Sequence, residues 1–529
     1  MASPSGQFIR AMKPQNVMFS SRWLTFLGWL PVAGISRVAF CCHLTHTPRP
    51  KLFTKTKMFN EIQKSDTQRK ARTSLVLGRV RLEARETVRL ALPLVFTALS
   101  FKIMTATDMV MMGWLGAQSL AAGALANYIY FPMYIMAAGI VTAVAPLAAQ
   151  AMGARRFKAV RRTVRQGLWI ALLLSSLGAF ALLHSEAFLI AIDQEPAIAA
   201  LSGEYLRAAA WALVPAIGFA VLQFFLSALG RPQAVFLIAS GGIVVNGFTN
   251  YVLMYGKFGL PALGLTGIGL STTIVTTMLF ISLAVYVIIT PPFRRYALFA
   301  RFWRPDWPRF VEIFKLGAPV GCARTAELSF FCGAGLMMGW LGVAETAAYA
   351  IAFQYASFAF MVPLGLSQAA EIRVGWAAGA RHAQGVTYAG WVALGIICVY
   401  SFIPAVLFWL IPLPLIDLFL DIEAPENAAL ISLSVTYLII AGLFQWVDGL
   451  QAVGASVLRG LKDTRTPSLV AILSYWVVGF PACYLLTFKY GFGGIGIWIG
   501  FAIGLTIAAV LLLWRFYRRD AFWQPEGSE

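Results

Sequence analysis

The chain has 529 residues, of which 59% are hydrophobic and only 12% are charged, and its formal net charge is +19 at pH 7. A soluble protein of this length carries about a quarter charged residues, so the composition excludes an ordinary soluble domain. The positive charge lies in loops and at the termini. This distribution follows the orientation rule of membrane proteins and argues against a nucleic-acid-binding protein.

Residues 1–80 differ in composition from the rest of the chain. Their apolar stretch, residues 23–40, is shorter than a membrane span and is followed by a basic, polar segment. It starts late and lacks the cleavage site of a good signal peptide. We expect residues 1–80 to be a disordered cytoplasmic extension. The alternative is that the gene model is too long and that translation starts at Met58. The sequence does not decide between Met1 and Met58 as the start.

Beyond residue 80, apolar runs of about 20 residues recur, which is the length that a helix needs to cross a bilayer. Backbone groups find no water partners in lipid, so each run is expected to be α-helical. The twelve predicted spans are 87–112, 120–148, 164–184, 205–229, 233–256, 264–289, 312–340, 345–371, 386–411, 428–458, 467–488 and 493–514.

The loops between these spans alternate in charge. Arg and Lys dominate the segments 155–165, 294–309, 373–381, 459–465 and 515–519, and the intervening loops are mostly acidic. Lys and Arg concentrate on the cytoplasmic side of membrane proteins. We therefore predict a multi-pass protein of the cytoplasmic (inner) membrane with both termini in the cytoplasm, which an even number of spans requires.

The two halves of the chain repeat each other at a spacing of 226 residues. Residues 111–116 recur letter for letter at 337–342, and residues 153–155 recur at 379–381. Six predicted spans in each half give parallel repeats, related by an axis along the membrane normal. The expected fold is an all-α polytopic membrane protein with twelve transmembrane helices in two pseudo-symmetric six-helix lobes. The predicted domains are the N-lobe (81–300), the C-lobe (301–520) and a cytoplasmic tail (521–529).

Charged residues inside a span are costly and are functional candidates by default. Five are present: Lys102, Asp108, Arg324, Glu327 and Asp448. A carboxylate in such a place can hold a proton, exchange it for Na⁺ or pair with an organic cation. The repeat puts neutral residues opposite Asp108 and Glu327, which favours function over a shared structural role. Arg324 and Glu327 are three residues apart, so a structural salt bridge between them is an equal alternative.

Uncharged polar and aromatic residues also recur in the spans, among them Tyr475 and Trp476. Aromatic rings attract cations, so this set suits a roomy amphipathic cavity. Each residue alone is more often a packing residue or part of an interhelical hydrogen bond. The candidates for the substrate cavity are Tyr128, Asn246, Asn250, Gln354, Tyr355, Phe444 and Trp446.

The sequence carries no enzyme signature. It lacks a P-loop, a Ser/His/Asp set and zinc-ligand spacing, so ATP does not drive this chain alone. Four of its six cysteines lie singly in apolar spans, where they are expected to act as packing residues. We predict no catalytic residue and no cofactor.

Several motifs together are highly specific, although each alone would be weak. They are Leu92 and Pro93 followed by Asp108 and Gly113, residues 145–154, 166–168, 255–259 and 372–375, and Asp448 and Gln451 with residues 458–460. With them the chain resembles the multidrug and toxin extrusion (MATE) family, in its NorM-like branch, over about residues 85–517.

This resemblance implies two six-helix lobes around a V-shaped cleft, and export of cationic amphipathic compounds in exchange for Na⁺ or H⁺. Asp108 looks like the first-helix acid of the N-lobe. Glu327 and Asp448 are similar to the C-lobe acids that bind the coupling cation, with Na⁺ as the candidate metal ion. Asn246 and Asn250 match polar positions of the fifth helix.

The chain also departs from the family pattern. Lys102 and Arg324 stand where neutral residues are expected, and Phe444 stands where some Na⁺-coupled members have a tyrosine near the cation. An arginine one turn before Glu327 can replace the charge of the cation and weaken Na⁺ binding. These departures leave the choice between Na⁺ and H⁺ open.

We therefore expect a secondary antiporter, not an enzyme, that works as a monomer in the lipid bilayer and exports small organic cations by alternating access. One alternative is a flippase for lipid-linked saccharides, which would favour a cationic cavity such as Lys102 and Arg324 could provide. A second alternative is a non-transporting membrane scaffold or receptor, which would need no buried carboxylates. The sequence gives neither the substrate nor the oligomeric state.

Overall fold

The computed structural model describes residues 55–299 and 302–524, and every regular element in these ranges is helical. The chain divides into a small unit, Met1–Arg69, and a large one, Lys70–Glu529, which contains all the predicted spans. Residues 1–54, most of the predicted extension, lie outside the described residues.

Residues 55–80, the last part of the predicted extension, belong to a helix. Between Lys55 and Pro93 the chain has no proline and is rich in Glu, Gln, Lys, Arg and Leu, all of which favour a helix. The first helix therefore starts well before the first apolar span.

Twelve long helices, which we number α1–α12, account for the twelve predicted spans in the described part of the chain. They are α1 (Lys55–Trp114), α2 (Ala117–Gly153), α3 (Phe157–Leu183), α4 (Pro196–Ala228), α5 (Gln233–Tyr255), α6 (Gly264–Ile289), α7 (Trp307–Leu341), α8 (Val343–Gly379), α9 (Ala383–Leu410), α10 (Ala428–Gly460), α11 (Arg465–Lys489) and α12 (Gly494–Tyr517). Each predicted span lies on one helix, with at most one residue beyond its end, and the predicted fold class is confirmed.

Eleven of these helices are long and apolar enough to cross a membrane, counted over the described residues. The exception is α7, which has the length but carries Arg309, Glu312 and Lys315 in its first turns and Arg324 and Glu327 near its middle. The repeat nevertheless pairs α7 with α1, so we include it among the spans. Its start is fixed by Asp306, whose side chain caps the helix by accepting a hydrogen bond from the Arg309 backbone N–H at 3.4 Å.

Two helices are interrupted one turn before a proline. In α2 the regular helix ends at Val141 and resumes at Val144, and in α8 the interruption is Phe360. Pro146 and Pro363 explain this, because a proline lacks the N–H donor and its ring crowds the carbonyl group four residues earlier. A further irregularity is found in α11, which contains two π-helical stretches, Ser474–Gly479 and Leu485–Lys489.

The even-numbered helices, α2 to α12, all end at the same face of the protein, which we call the basic face. We call the other face the opposite face. Hydrogen bonds and ion pairs join the lobes at the basic face. Arg162 of α3 pairs with Asp306, which lowers the pKa of that carboxyl group. Arg373 of α8 pairs with Glu83 of α1 through two bonds of 2.8 and 2.6 Å.

Glycines let the two lobes touch through their backbones. A Cβ atom on Gly139 of α2 would lie 2.6 Å from the Gly321 Cα atom of α7. The positions that correspond to these two in the repeat are Gly365 of α8 and Val95 of α1. A Cβ atom on Gly365 would lie 2.6 Å from the Val95 nitrogen, so the same contact is made twice.

A second pair of glycine contacts, nearer the basic face, is related by the same repeat. A Cβ atom on Gly153 would overlap the Trp376 carbonyl, and one on Gly379 would overlap the carbonyl of Gln150. These residues are again related by the spacing of 226. Because each contact recurs with the lobes exchanged, the halves are related by an approximate two-fold axis, as parallel repeats require. The lobes are closed against each other at the basic face.

Candidate functional site

The acid of the N-lobe is bound by two amides of a neighbouring helix. Asp108 of α1 accepts hydrogen bonds at its Oδ1 from the amide nitrogens of Asn246, at 3.0 Å, and Asn250, at 2.6 Å. The two asparagines are four residues apart on α5, so they share one face of that helix. The structure therefore brings together three residues that the sequence predicts separately.

Both asparagines are fully buried, and their side-chain oxygens have no partner among the described residues. Each asparagine donates a hydrogen bond to Asp108 through its amide nitrogen. Its amide oxygen therefore remains available, beside the carboxylate, to bind a cation. A carboxylate with nearby amide oxygens is the ligand type that hard cations prefer. The cluster Asp108, Asn246 and Asn250, which we call the N-lobe acid site, can hold a proton or pair with a cation.

The C-lobe contains a second acid site, built from α7, α10 and α11. Asp448 of α10 is only 5% exposed, and its Oδ1 atom has no hydrogen-bond partner in the described structure. Glu327 of α7 lies near enough to interact with it electrostatically. The Tyr475 hydroxyl donates to Glu327 at 3.4 Å. One buried and one half-buried carboxylate with one hydroxyl donor form a place where a single cation or proton relieves repulsion.

Tyr475 is the residue of this site that the sequence offers only as one aromatic side chain among many. It lies in the first π-helical stretch of α11, which turns it toward α7. Single π-helical turns are frequent at functional sites, but their positions are set by tertiary packing. The ring also stacks on Phe330 at a centroid distance of 5.5 Å, which fixes its orientation.

Replacing Tyr475 with Phe removes the hydroxyl and keeps the stacked ring. We expect the affinity for the coupling cation to change by about fivefold, since one hydrogen bond is worth about 1 kcal/mol. The cation dependence of transport measures this. Tyr484→Phe is the control, because Tyr484 lies on the same helix and is half-exposed, and its one ring contact among the described residues is with Phe488. A matching shift in both variants would contradict a specific role for Tyr475.

Arg324 lines a cavity of about 70 Å³ inside the C-lobe together with Glu327 and Arg459. Arg324 and Glu327 form no ion pair in the described part of the chain, so the structure does not support a salt bridge between them. Arg459 instead pairs with the buried Glu371 at 3.2 Å. The cavity therefore lies between the C-lobe acid site and the Arg459–Glu371 ion pair, which is nearer the basic face.

Lys102 lies between the lobes. Its ammonium group is 5.5 Å from the centroid of the Phe358 ring on α8, a cation–π arrangement that reduces the cost of its position. It forms no ion pair with Asp108 among the described residues. Lys102 is not among the residues that line the cavity beside Arg324.

The remaining cavity candidates have different surroundings. Tyr128 is 70% exposed on α2. The Tyr355 hydroxyl donates to the Leu415 carbonyl at 2.7 Å, and Trp446 packs edge-on against Phe402. Three candidates are thus placed in helix packing or at the surface, and their role in a substrate cavity stays a prediction.

Two further candidates belong to α8 and α10. Gln354 of α8 is half-buried. Phe444 is buried one turn before Asp448, where its ring contacts those of Phe331 and Trp498. A phenylalanine has no hydroxyl, so it adds no ligand to the C-lobe acid site. No group of three or more His, Cys, Asp or Glu side chains in the described residues could hold a metal ion.

Two parallel six-helix lobes, each with one buried acid site, define a polytopic membrane transporter of the repeat-built class. A family model described as MatE matches residues 93–252 and 319–485. The two matches start 226 residues apart, as the internal repeat does. The chain belongs to the MatE family.

Relatives in this family are similar over nearly their whole length. The "Probable multidrug resistance protein NorM" of Mesorhizobium japonicum is 46% identical over 447 residues, which is 84% of this chain and 96% of that protein. The protein of the same name from Brucella suis is 42% identical over 436 residues, or 82% of this chain and 93% of the relative. The predicted NorM-like resemblance is confirmed.

Solved structures share the fold at low sequence identity. The eukaryotic MATE transporter AtDTX14 gives a TM-score of 0.73 at 20% identity, covering 83% of this chain and 96% of that one. A structure described as the outward-facing conformation of a multidrug resistance MATE family transporter gives 0.75 at 18%, covering 83% and 96%. This similarity supports the twelve-helix arrangement.

Proposed function

We propose that this chain is a secondary antiporter that exports cationic amphipathic compounds in exchange for Na⁺ or H⁺. The observation that carries the proposal is the pair of acid sites, one in each lobe, at positions where the repeat itself has no acid. The NorM relatives are named as multidrug resistance proteins, and MatE structures are described as transporters. A transporter that moves cations needs buried carboxylates, whereas a membrane scaffold does not.

We place the chain in the cytoplasmic membrane with the basic face toward the cytoplasm, because Arg and Lys concentrate there. The observed conformation is then closed to the cytoplasm by the paired glycine contacts. Export requires a second conformation in which the lobes separate at the basic face. Since the lobes are repeats about one axis, a rocking motion of one lobe against the other provides it within a monomer.

The two acid sites have different parts in this cycle. Glu327 and Asp448 bind the driving cation, which removes the repulsion between the two carboxylates. Asp108, already held by Asn246 and Asn250, serves the N-lobe as a switch for a proton or a substrate cation. A ligand can move the lobes only through a difference in its affinity for the two conformations.

Arg324 influences how strongly the C-lobe acid site binds a cation. Its guanidinium group shares the cavity beside Glu327, so a fixed positive charge already lies near the C-lobe acid site. A fixed positive charge beside a carboxylate opposes the binding of Na⁺ and also opposes protonation. Na⁺ and H⁺ therefore both remain candidates, and transport under separately imposed gradients distinguishes them.

Glu327→Gln tests the proposed coupling. We expect the variant to lose export of ethidium from liposomes under whichever imposed gradient drives the wild type, because Gln cannot take up a proton or balance Na⁺. Glu195→Gln is the control, since Glu195 is exposed in the loop before α4. Gradient-driven export by Glu327→Gln at the wild-type rate would contradict the role of this carboxylate.

The flippase alternative is less well supported. It needs a cationic cavity for an anionic headgroup, to which Lys102 and Arg324 would both contribute. Arg324 lines a cavity inside the C-lobe, and Lys102 is not among the residues of that cavity. An antiporter for organic cations therefore explains the positions of the acidic and basic residues inside the spans better than a flippase does.

A further inference from the structure

A recess of about 260 Å³ opens on the basic face where both lobes meet. It lies outside the two acid sites and is rich in arginine. Helix α1, the turn between α4 and α5, and the last turns of α8 form its wall. The lining residues are Glu86, Arg89, Leu90, Gly230, Arg231, Gln233, Arg373 and Trp376.

The recess carries two guanidinium groups that the described structure leaves without an ionic partner. Arg373 is neutralised by its two bonds to Glu83. Arg89 and Arg231 are exposed and form no ion pair with any described residue, and the one other carboxylate of the lining is Glu86. Arginine binds phosphate groups through two parallel N–H donors, so an anion of this kind suits the recess.

The wall of the recess is held in place across the lobe boundary. The Trp376 indole of α8 donates to the Ala228 carbonyl at the end of α4, at 2.8 Å. Gly230 has a φ of +72°, and a Cβ atom there would come within 3.2 Å of the Trp376 ring. Because this turn of the N-lobe rests on a C-lobe tryptophan, the recess is complete only while the lobes are closed at the basic face.

An apolar surface leads from the recess along the seam between α1 and α5. Leu92 and Phe96 are 49% and 47% exposed on α1, and Leu237 is 67% exposed on α5. The rings of Phe96 and Phe236 meet at 5.5 Å and connect the two helices. The spacing of four residues keeps Leu92 and Phe96 on one face of α1.

The same seam continues into a larger apolar recess of about 440 Å³. Its residues again belong to α1 and α5 alone. They are Ile103, Ala106, Thr107, Val110, Met111, Trp114, Gly247 and Tyr251. A hydrocarbon chain that starts at the basic recess can therefore follow α1 and α5 toward the opposite face.

We propose that this arrangement is a binding site for an anionic phospholipid. Its phosphate lies between Arg89 and Arg231, and an acyl chain lies along the α1–α5 seam. Basic pockets between helices on the cytoplasmic side are the places where anionic headgroups bind membrane proteins. Because both lobes build the recess, the bound lipid favours the conformation that is closed at the basic face. Only this last consequence rests on the proposed function.

The test is a lipid titration of the purified full-length chain, read by native mass spectrometry. Phosphatidylglycerol is compared with phosphatidylcholine on the wild type and on the double variant Arg89→Gln, Arg231→Gln. We expect phosphatidylglycerol to bind the wild type at least about tenfold more tightly than it binds the double variant, because each lost arginine weakens the attraction to an anionic headgroup by about fivefold. Phosphatidylcholine is expected to bind both weakly.

The matched control is the double variant Arg155→Gln, Arg156→Gln. Both arginines are exposed on the same face but do not line the recess, so its phosphatidylglycerol affinity should equal that of the wild type. Equal affinity of the wild type and the Arg89/Arg231 variant would overturn the site. Displacement of the lipid by inorganic phosphate at equal concentration would overturn the lipid assignment and identify a free anion instead. Because binding is measured without transport, these results do not depend on antiport.

Discussion

Asp448→Asn is expected to reduce ion-driven export to background while the chain stays folded. The carboxylate is buried, and one of its oxygens has no partner among the described residues, so under the proposed function a transported cation balances its charge. Asparagine has the same shape and no charge. Removing a buried charge of this kind leaves the free energy of unfolding unchanged or raises it by about 1 kcal/mol. Export in liposomes and thermal unfolding measure the two effects.

The control for Asp448 is Asp417→Asn, since Asp417 is exposed at the opposite face. It should export as the wild type does. Ion-driven export by Asp448→Asn at more than half the wild-type rate would show that the C-lobe acid site does not carry the coupling. Loss of export together with loss of folding would place Asp448 among structural residues instead.

Gly317→Ala is expected to stop turnover by preventing closure of the basic face. A Cβ atom on Gly317 of α7 would overlap the Ile140 carbonyl of α2, which is backbone and cannot rotate away. Forcing one extra methyl group into such a contact costs about 1–3 kcal/mol. That cost falls only on the conformation in which the lobes touch. We therefore expect export to fall by about tenfold or more, with a smaller loss of thermal stability.

Gly339→Ala is the matched control on the same helix, because nothing lies within 4 Å of a Cβ atom at that position. The same chemical change should leave export intact there. The Gly317→Ala variant should still bind substrate, since both acid sites remain. Equal export by the two variants would mean that the glycine contacts are incidental to the transport cycle.

The membrane fold follows closely from the sequence because the bilayer sets the length of each apolar segment. The repeat adds the arrangement of the halves, and it identifies α7 as a span although its first turns are charged. The helix at residues 55–80 is not expected from composition alone, since helix propensity there outweighs polarity. The interruptions near Pro146 and Pro363 depend on where each proline falls within its helix.

The acids of the candidate site are visible in the sequence because charge inside an apolar span is rare. Asn246 and Asn250 are also candidates from the sequence, but their bonds to Asp108 depend on how α5 packs against α1, which the sequence does not show. Tyr475 contacts Glu327 from a π-helical stretch of α11, whose position the sequence does not predict. The basic recess could not be predicted from the sequence for another reason. Arginines near the ends of the spans are already explained by the orientation of the protein in the membrane, so they do not indicate a binding site.

Efflux of ethidium by the purified wild-type chain in liposomes tests the central claim most directly, with Na⁺ and H⁺ gradients imposed separately. We expect ethidium to move against the direction of cation flow under at least one of the two gradients, and that gradient identifies the coupling ion. Dissipating the gradient should stop the movement. Ethidium transport that is equal with and without any cation gradient would contradict an antiporter, and so would the absence of transport of any organic cation under both.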